Sequence, residues 1–191
     1  MDAATIAVYE RRAREWIERR GEATDDFGRR LREELGEGPV VDLGCGAGRY
    51  LRDLGPAVVG LDASAAMLEL AGRNAVPLIR ADLEALPLCD RAVAGLFARH
   101  SYLHVPKERL TAALRDARRA LRPGGLFLLS LIEGSYEGHD LPGDDFEGRF
   151  FACWTEAEVE ALLGQAGFSA VAVSRLARRN GGTDLEARAR A

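Results

Sequence analysis

The feature that most constrains this chain is the run Asp42-Leu43-Gly44-Cys45-Gly46-Ala47-Gly48, which continues the short apolar stretch Pro39-Val40-Val41-Asp42-Leu43. Alternate glycines let the backbone turn tightly and let a ligand approach it closely. A buried strand running into such a turn and then a helix is the entry to an open α/β sheet. The rest of the chain repeats the alternation. Ala57 to Leu61 is a second apolar run ending at Asp62, and Ser64 is placed to cap a helix through Ala71. Pro77 to Arg80 and Ala92 to Ala98 read as a third and a fourth strand.

From Pro106 the pattern is helical, with Leu110, Leu114, Ala117 and Leu121 on one face, until Arg122-Pro123-Gly124-Gly125 stops it. Leu126 to Leu131 is apolar throughout, as a strand covered on both sides should be. Thr155-x-x-Glu158 is a capping box ahead of Val159, Leu162, Leu163 and Ala166. Phe168 to Val173 and Asp184 to Arg190 alternate as two last strands around an Asn180-Gly181-Gly182 turn. Residues 1–35 read as helical, with Ile6, Tyr9, Ala13 and Trp16 at spacings of three or four.

The expected architecture is one domain over 1–191, with an N-terminal helical cap (1–36) on an α/β core (37–191). The core is a doubly wound, mostly parallel sheet with helices on both faces. Ligands of such sheets bind beyond the carboxyl ends of the strands. That points to positions 44–48, 62, 82, 99–104 and 133–154.

Charge and composition narrow the partners. Thirty acids against 26 bases give −4, so no global basic field favours nucleic acid. The longest apolar run, Leu126 to Ile132, is far short of the roughly 20 residues a bilayer needs. No apolar leader follows Met1. Cys45, Cys89 and Cys153 have no metal-ligand spacing, so no metal site is expected, and they suit a reducing cytoplasm.

The glycine turn is not a pyrophosphate fingerprint, because G-x-G-x-x-G would need glycine at position 49, where Arg49 stands. An acid before the first glycine suits a cofactor that carries an amino group and a sulfonium. Asp62, 20 residues after Asp42, is placed to accept both hydroxyls of a ribose or simply to sit at a helix N-terminus. Asp82, after the third strand, is placed to accept from an exocyclic amine or to be a solvated turn acid.

Taken in order, these segments resemble the class I S-adenosylmethionine-dependent methyltransferases. Val41 to Gly48 is similar to the family's first motif, and Val59-Gly60-Leu61-Asp62-Ala63-Ser64 with Met67-Leu68 to its ribose motif. Arg80-Ala81-Asp82-Leu83 is similar to the adenine motif, Leu121 to Gly125 to the turn before the fifth strand, and Gly164 to Phe168 to the late helix end. The resemblance implies a Rossmann-like sheet of order 3-2-1-4-5-7-6 with the seventh strand antiparallel. It also implies S-adenosylmethionine as cofactor and its demethylated form as product. Gly44, Cys45 and Gly46 would hold the methionine part, beside Asp42. Asp62 would take the ribose, and Ala63 and Met67 would line the adenine, whose edge Asp82 and the Leu83 amide would read. Arg99 lies at a backbone contact to the methionine, and Tyr9 would close the site from the N-terminal helix.

The acceptor is read from what surrounds the methyl group. Ala98-Arg99-His100-Ser101-Tyr102-Leu103-His104 lacks the Asn/Asp-Pro-Pro-aromatic signature of enzymes that methylate amide or base nitrogens. His100 and His104 are the candidate bases, since imidazole titrates near neutrality. Glu133, Arg149, Phe151 and Trp154 are candidate substrate contacts, with Arg149 able to meet a carboxylate and Phe150 able to help wall an apolar pocket. His139 reads as solvated. Residues 131–148 carry six acids and no lysine or arginine, which disfavours polyanions if this loop borders the acceptor. The expected partners are a small-molecule acceptor, no nucleic acid and no membrane, with the chain a monomer or homodimer. Methylation of RNA or protein, and a non-catalytic cofactor-binding module, remain alternatives.

Overall fold

The structure, a computed structural model, describes residues 1–21, 23, 25–178 and 181–191. Two helices open the chain, α1 (Ala3–Arg20) and α2 (Phe27–Leu35), where the sequence suggests one helical segment. Asp2 caps α1 by accepting from the Thr5 amide, and Gly36 ends α2 with its amide on the Arg32 carbonyl. The core follows as β1 (Val40–Leu43), β2 (Val58–Asp62), α3 (Ala65–Ala71), β3 (Leu78–Arg80), β4 (Val93–Arg99), α4 (Lys107–Ala120) and β5 (Leu121–Ile132). It ends with β6 (Glu137–His139), β7 (Phe150–Ala152), α5 (Glu156–Gln165), β8 (Ser169–Ala177) and β9 (Thr183–Arg190).

Among the described residues, seven strands form one sheet in the order β3-β2-β1-β4-β5-β9-β8. The β1–β5 pairings are parallel, and β9 runs antiparallel to both β5 and β8. This is the expected 3-2-1-4-5-7-6 order once β6 and β7, which pair apart in a two-stranded sheet, are set aside. That small sheet was not legible in 131–154, which reads as an acidic loop. Its strands are three residues each, too short for an alternation to stand out. Asn180 lies outside the described residues, so the turn expected there is not described.

The sheet is buried on both sides. Leu110, Leu114, Ala117, Val159 and Leu163 of α4 and α5 pack on one face with Phe127 and Leu129. Phe27 and Leu31 of α2 pack on the other with Val40, Phe97, Leu126 and Leu128. Both bonds of the Thr155–Glu158 capping box are formed. The mutually parallel strands β1–β5 therefore end their carboxyl termini on one rim, where α1 and β6–β7 close over it.

Gly44 needs its glycine identity twice over. Its φ is 77°, and a Cβ there would lie 2.3 Å from Ser101 Cβ. Gly46 has φ 53° with nothing within 4 Å of a Cβ, so its backbone faces open space. Gly44→Ala should cost roughly 2–4 kcal/mol of stability, left-handed strain plus overpacking. Gly46→Ala should cost only about 1–2 kcal/mol, the strain alone. Urea unfolding of both variants checks this, and equal losses would contradict it.

Candidate active site

The rim holds a cavity of about 790 Å³. It is lined by Tyr9, Asp42, Gly44, Cys45, Gly46, Asp62, Met67, Arg99, His100, His104, Arg149 and Phe151 of the residues singled out from sequence. Ala63, Asp82, Leu83, Glu133 and Trp154 are not among its lining residues. Asp82 is engaged by the Met1 ammonium at 2.5 Å and by the Glu84 amide at 3.0 Å. Glu133 pairs with Arg175 at 2.7 Å, and Trp154 is buried core with Lys107 over its ring. Ser101, within the 99–104 strand end, and Trp16, on the helical face of Tyr9, also line the cavity, as do Asp184 and Asp25, which nothing in their sequence context marks. Asp184 in particular lies in β9, the strand that topology inserts beside β5.

The floor is built from two strand-end carboxylates. Asp62 at the end of β2 accepts the Gly46 amide at 2.8 Å and the Ser64 amide at 2.9 Å. It thereby ties the glycine turn to the start of α3. Burial pushes its carboxyl up, and those amide hydrogen bonds oppose the push. Asp42 in β1 is 2% exposed, and its Oδ2 is buried without a partner. Burial and the neighbouring Asp62 charge hold its carboxyl well above the ordinary aspartate range. Ser101 Oγ is a second buried atom without a partner on the same lining. Unmet acceptors beside an open glycine backbone fit a ligand that brings a cation and hydroxyl donors, because such a ligand satisfies them. S-adenosylmethionine carries an ammonium, a sulfonium and a ribose diol, so these residues fit it. Neither carboxylate suits a pyrophosphate.

Past β4 the chain is strained. His100 has φ 55°, and Ser130 holds it there by accepting the His100 amide at Oγ (3.1 Å) and at its carbonyl (3.3 Å). Its Nε2 lies 2.8 Å from Arg99 Nη1 and 3.0 Å from Asp184 Oδ1. Burial, first, and the Arg99 and Arg178 charges lower its pKa, with Asp184 opposing. On Asp184 the upward push of burial is outweighed by His100, Arg99 and Arg178, which hold it below the usual range. The Arg99 side chain points Nη1 to Ser130 and Asp184 and stacks on Phe27, while its Nε is buried without a partner.

The wall opposite is a single chain of bonds. Arg149, 5% exposed, donates to the Tyr9 hydroxyl at 2.8 Å and pairs with the buried Asp144 through both Nε and Nη2. Tyr9 lies 2.9 Å from His104 Nε2, and His104 Nδ1 lies 2.6 Å from the Phe150 carbonyl. A carbonyl only accepts, so Nδ1 carries the proton and Nε2 presents its lone pair to the Tyr9 hydroxyl. Burial, with Arg149 adding, pushes the His104 pKa down to about 3. At neutral pH His104 is thus a hydrogen-bond acceptor and a poor proton acceptor, unlike the base its sequence position suggests. Burial raises the Tyr9 hydroxyl, against the lowering by Arg149.

The acidic loop is largely neutralised. Asp145 pairs with Arg20 at 2.6 Å, Asp140 accepts the Gly148 amide at 2.9 Å and Glu137 accepts the Lys107 amide at 2.8 Å. Phe146 is fully buried beneath the guanidinium groups of Arg12, Arg19 and Arg149. Residues 141–149 are therefore stapled to α1. His139 is half-exposed, as expected. Among the described residues no cluster of side chains is arranged to hold a metal ion, and no helix is long and apolar enough to cross a membrane.

A family model described as a methyltransferase domain matches residues 40–125. A malonyl-[acyl-carrier protein] O-methyltransferase of Dechloromonas aromatica (strain RCB) is 32% identical over 185 residues, 86% of this chain and 68% of that protein. One of the same description from Yersinia pestis is 34% identical over 147 residues, 72% of this chain and 54% of that protein. The chain thus spans between about half and two-thirds of the length of these curated relatives. The solved complex of DhpI with SAH superposes with a TM-score of 0.78 at 27% identity, covering 98% of this chain and 95% of that one.

His104 carries a pH test. Its folded pKa lies below the unfolded value of about 6.5, so its contribution is complete above that pH and is lost as pH falls towards 3. Between pH 6.5 and 5 it should cost wild type about 2 kcal/mol, at 1.36 kcal/mol per unit. In His104→Gln that acid-side loss should shrink by the same amount. Denaturant midpoints at the two pH values read it, and parallel losses would refute it.

Proposed function

The chain belongs to the class I S-adenosylmethionine-dependent methyltransferases, and we propose that it transfers a methyl group from this cofactor to a small-molecule acceptor. The supporting observation is the partnerless Asp42 carboxylate beside Asp62 at an open glycine turn. Gly44, Cys45 and Gly46 would hold the methionine part over Asp42, Asp62 the ribose and Met67 the adenine face. Ala63, Asp82 and Leu83 would complete the adenine end at its edge, with Asp82 exchanging its Met1 partner for the base. When bound, the cofactor supplies a methyl group on a positively charged sulfur, ready for in-line displacement. The protein's task is then to position the acceptor and exclude water. The roof made by α1 and residues 141–149 does the second.

Any proton the acceptor releases is assigned to His100. It is partly exposed on the cavity, its pKa is lowered chiefly by burial with Asp184 opposing, and Ser130 holds its backbone amide. Phe151 supplies apolar wall, while Glu133 and Trp154 support the hairpin that carries it. The names of the relatives offer a second acceptor, a malonyl group on an acyl carrier protein. That acid would need an uncommitted cation, and the lining arginines Arg20, Arg99, Arg149 and Arg178 are each bound to aspartates. A free small molecule therefore fits better, and the cavity lies within the usual size range of small-molecule sites. Free thiols at all three cysteines fit a cytoplasmic setting.

Calorimetry should show S-adenosylmethionine or its demethylated product binding, and no heat of binding from either would overturn the reading. Asp62→Ala should weaken that binding by about 1.5–3 kcal/mol, the worth of hydrogen bonds to a charged group. His100→Ala should lower turnover with cofactor affinity kept. Mass spectrometry of a metabolite library incubated with labelled cofactor should reveal the one-methyl product that the turnover assay uses.

A further inference from the structure

The bonds from Phe150 through His104 and Tyr9 to Arg149 run in one direction, and that direction restricts what can bind beside them. The Phe150 carbonyl accepts, so His104 Nδ1 donates (2.6 Å), and Nε2 has only a lone pair left for Tyr9 (2.9 Å). The Tyr9 proton is therefore spent on His104. Arg149 donates into one Tyr9 lone pair at 2.8 Å. A phenolic oxygen can accept a second hydrogen bond beside the one from Arg149, and Tyr9 lines the cavity. Arg149 itself is closed to ligands by Asp144, a pair in which both side chains are 6% exposed. The apolar surroundings are Phe151, Leu141 and Ile132.

We infer that the Tyr9 hydroxyl oxygen is the polar contact of the acceptor subsite, and that this subsite selects a neutral N–H or O–H group and turns carboxylates away. This rests on the methyltransferase reading and goes beyond the cofactor role that the resemblance implies for Tyr9. A carboxylate has no proton to give Tyr9, and the Arg149 charge that would otherwise draw it in is already matched by Asp144. A neutral amine, azole or hydroxyl donates to the Tyr9 oxygen and meets no unpaired charge. His104 is a positioning residue: it fixes which way the Tyr9 proton points.

The test uses the full chain saturated with S-adenosylhomocysteine at pH 8, where benzimidazole is a neutral N–H donor and benzoate is its acidic counterpart of similar size. Titration followed by ligand-observed NMR should show benzimidazole binding at least tenfold tighter than benzoate. In Tyr9→Phe, which keeps the ring, benzimidazole affinity should fall at least tenfold, and by a clearly larger factor than S-adenosylhomocysteine affinity. Benzoate binding as tightly, no benzimidazole binding, an unchanged affinity in Tyr9→Phe, or a loss no larger than that of S-adenosylhomocysteine would each overturn the inference. Nitrogen-15 NMR of wild type needs no variant: His104 should be the neutral Nδ1–H tautomer at pH 7, and an Nε2–H tautomer would overturn it as well. If wild type fails to bind S-adenosylhomocysteine at all, the methyltransferase reading falls first; if it binds and the probes misbehave, only this inference falls.

Discussion

Asp62 accepting the Gly46 and Ser64 amides is the contact on which the site depends. One carboxylate joins the end of β2, the turn after β1 and the first turn of α3. It compensates two amides that the tight turn and the helix start leave without backbone partners. It also places a negative charge beside Asp42, whose carboxyl is held well above the ordinary aspartate range by burial first and by Asp62 second. The floor is thus left electrostatically unfinished, and a cationic ligand completes it. Gly44 is locked against Ser101 in the same construction, which draws the segment after β4 over the turn.

The roof uses the opposite arrangement. There the charges are matched within the protein: Arg149 with Asp144, Arg20 with Asp145, and Phe146 under three guanidinium groups. Removing one partner of a buried pair costs about 3–5 kcal/mol, because the other is left as an uncompensated buried charge. The roof is therefore stable as a unit and offers its contents a hydrogen-bond pattern instead of a net charge. The cavity has an acidic floor that attracts a cation and a wall whose directed bonds sort neutral groups.

That Asp42, Gly44, Gly46 and Asp62 come together at one cavity could be read directly, since each sits at a local turn next to an apolar strand. The order of the sheet followed from alternation and resemblance together. Three features could not be read. The pairing of β6 with β7 joins three-residue strands across a long loop, leaving no periodic signal. Asp184 reaches His100 only because β9 inserts antiparallel beside β5. The six acids between 131 and 148 look like a charged loop, but three of them are ion-paired with Arg175, Arg149 and Arg20 and two more accept backbone amides.

The sequence by itself determined the order of the sheet and the glycine turn with its strand-end acids, because those depend on hydrophobic period, glycine conformation and residues adjacent along the chain. Only the tertiary structure decided the acceptor end. His104 reads as a base when its ordinary pKa is assumed. Burial against Phe150, Tyr9 and Arg149 makes it a fixed, neutral acceptor instead. The state of a titratable group is set by its desolvation and its neighbours in space, and neither is written in the order of residues.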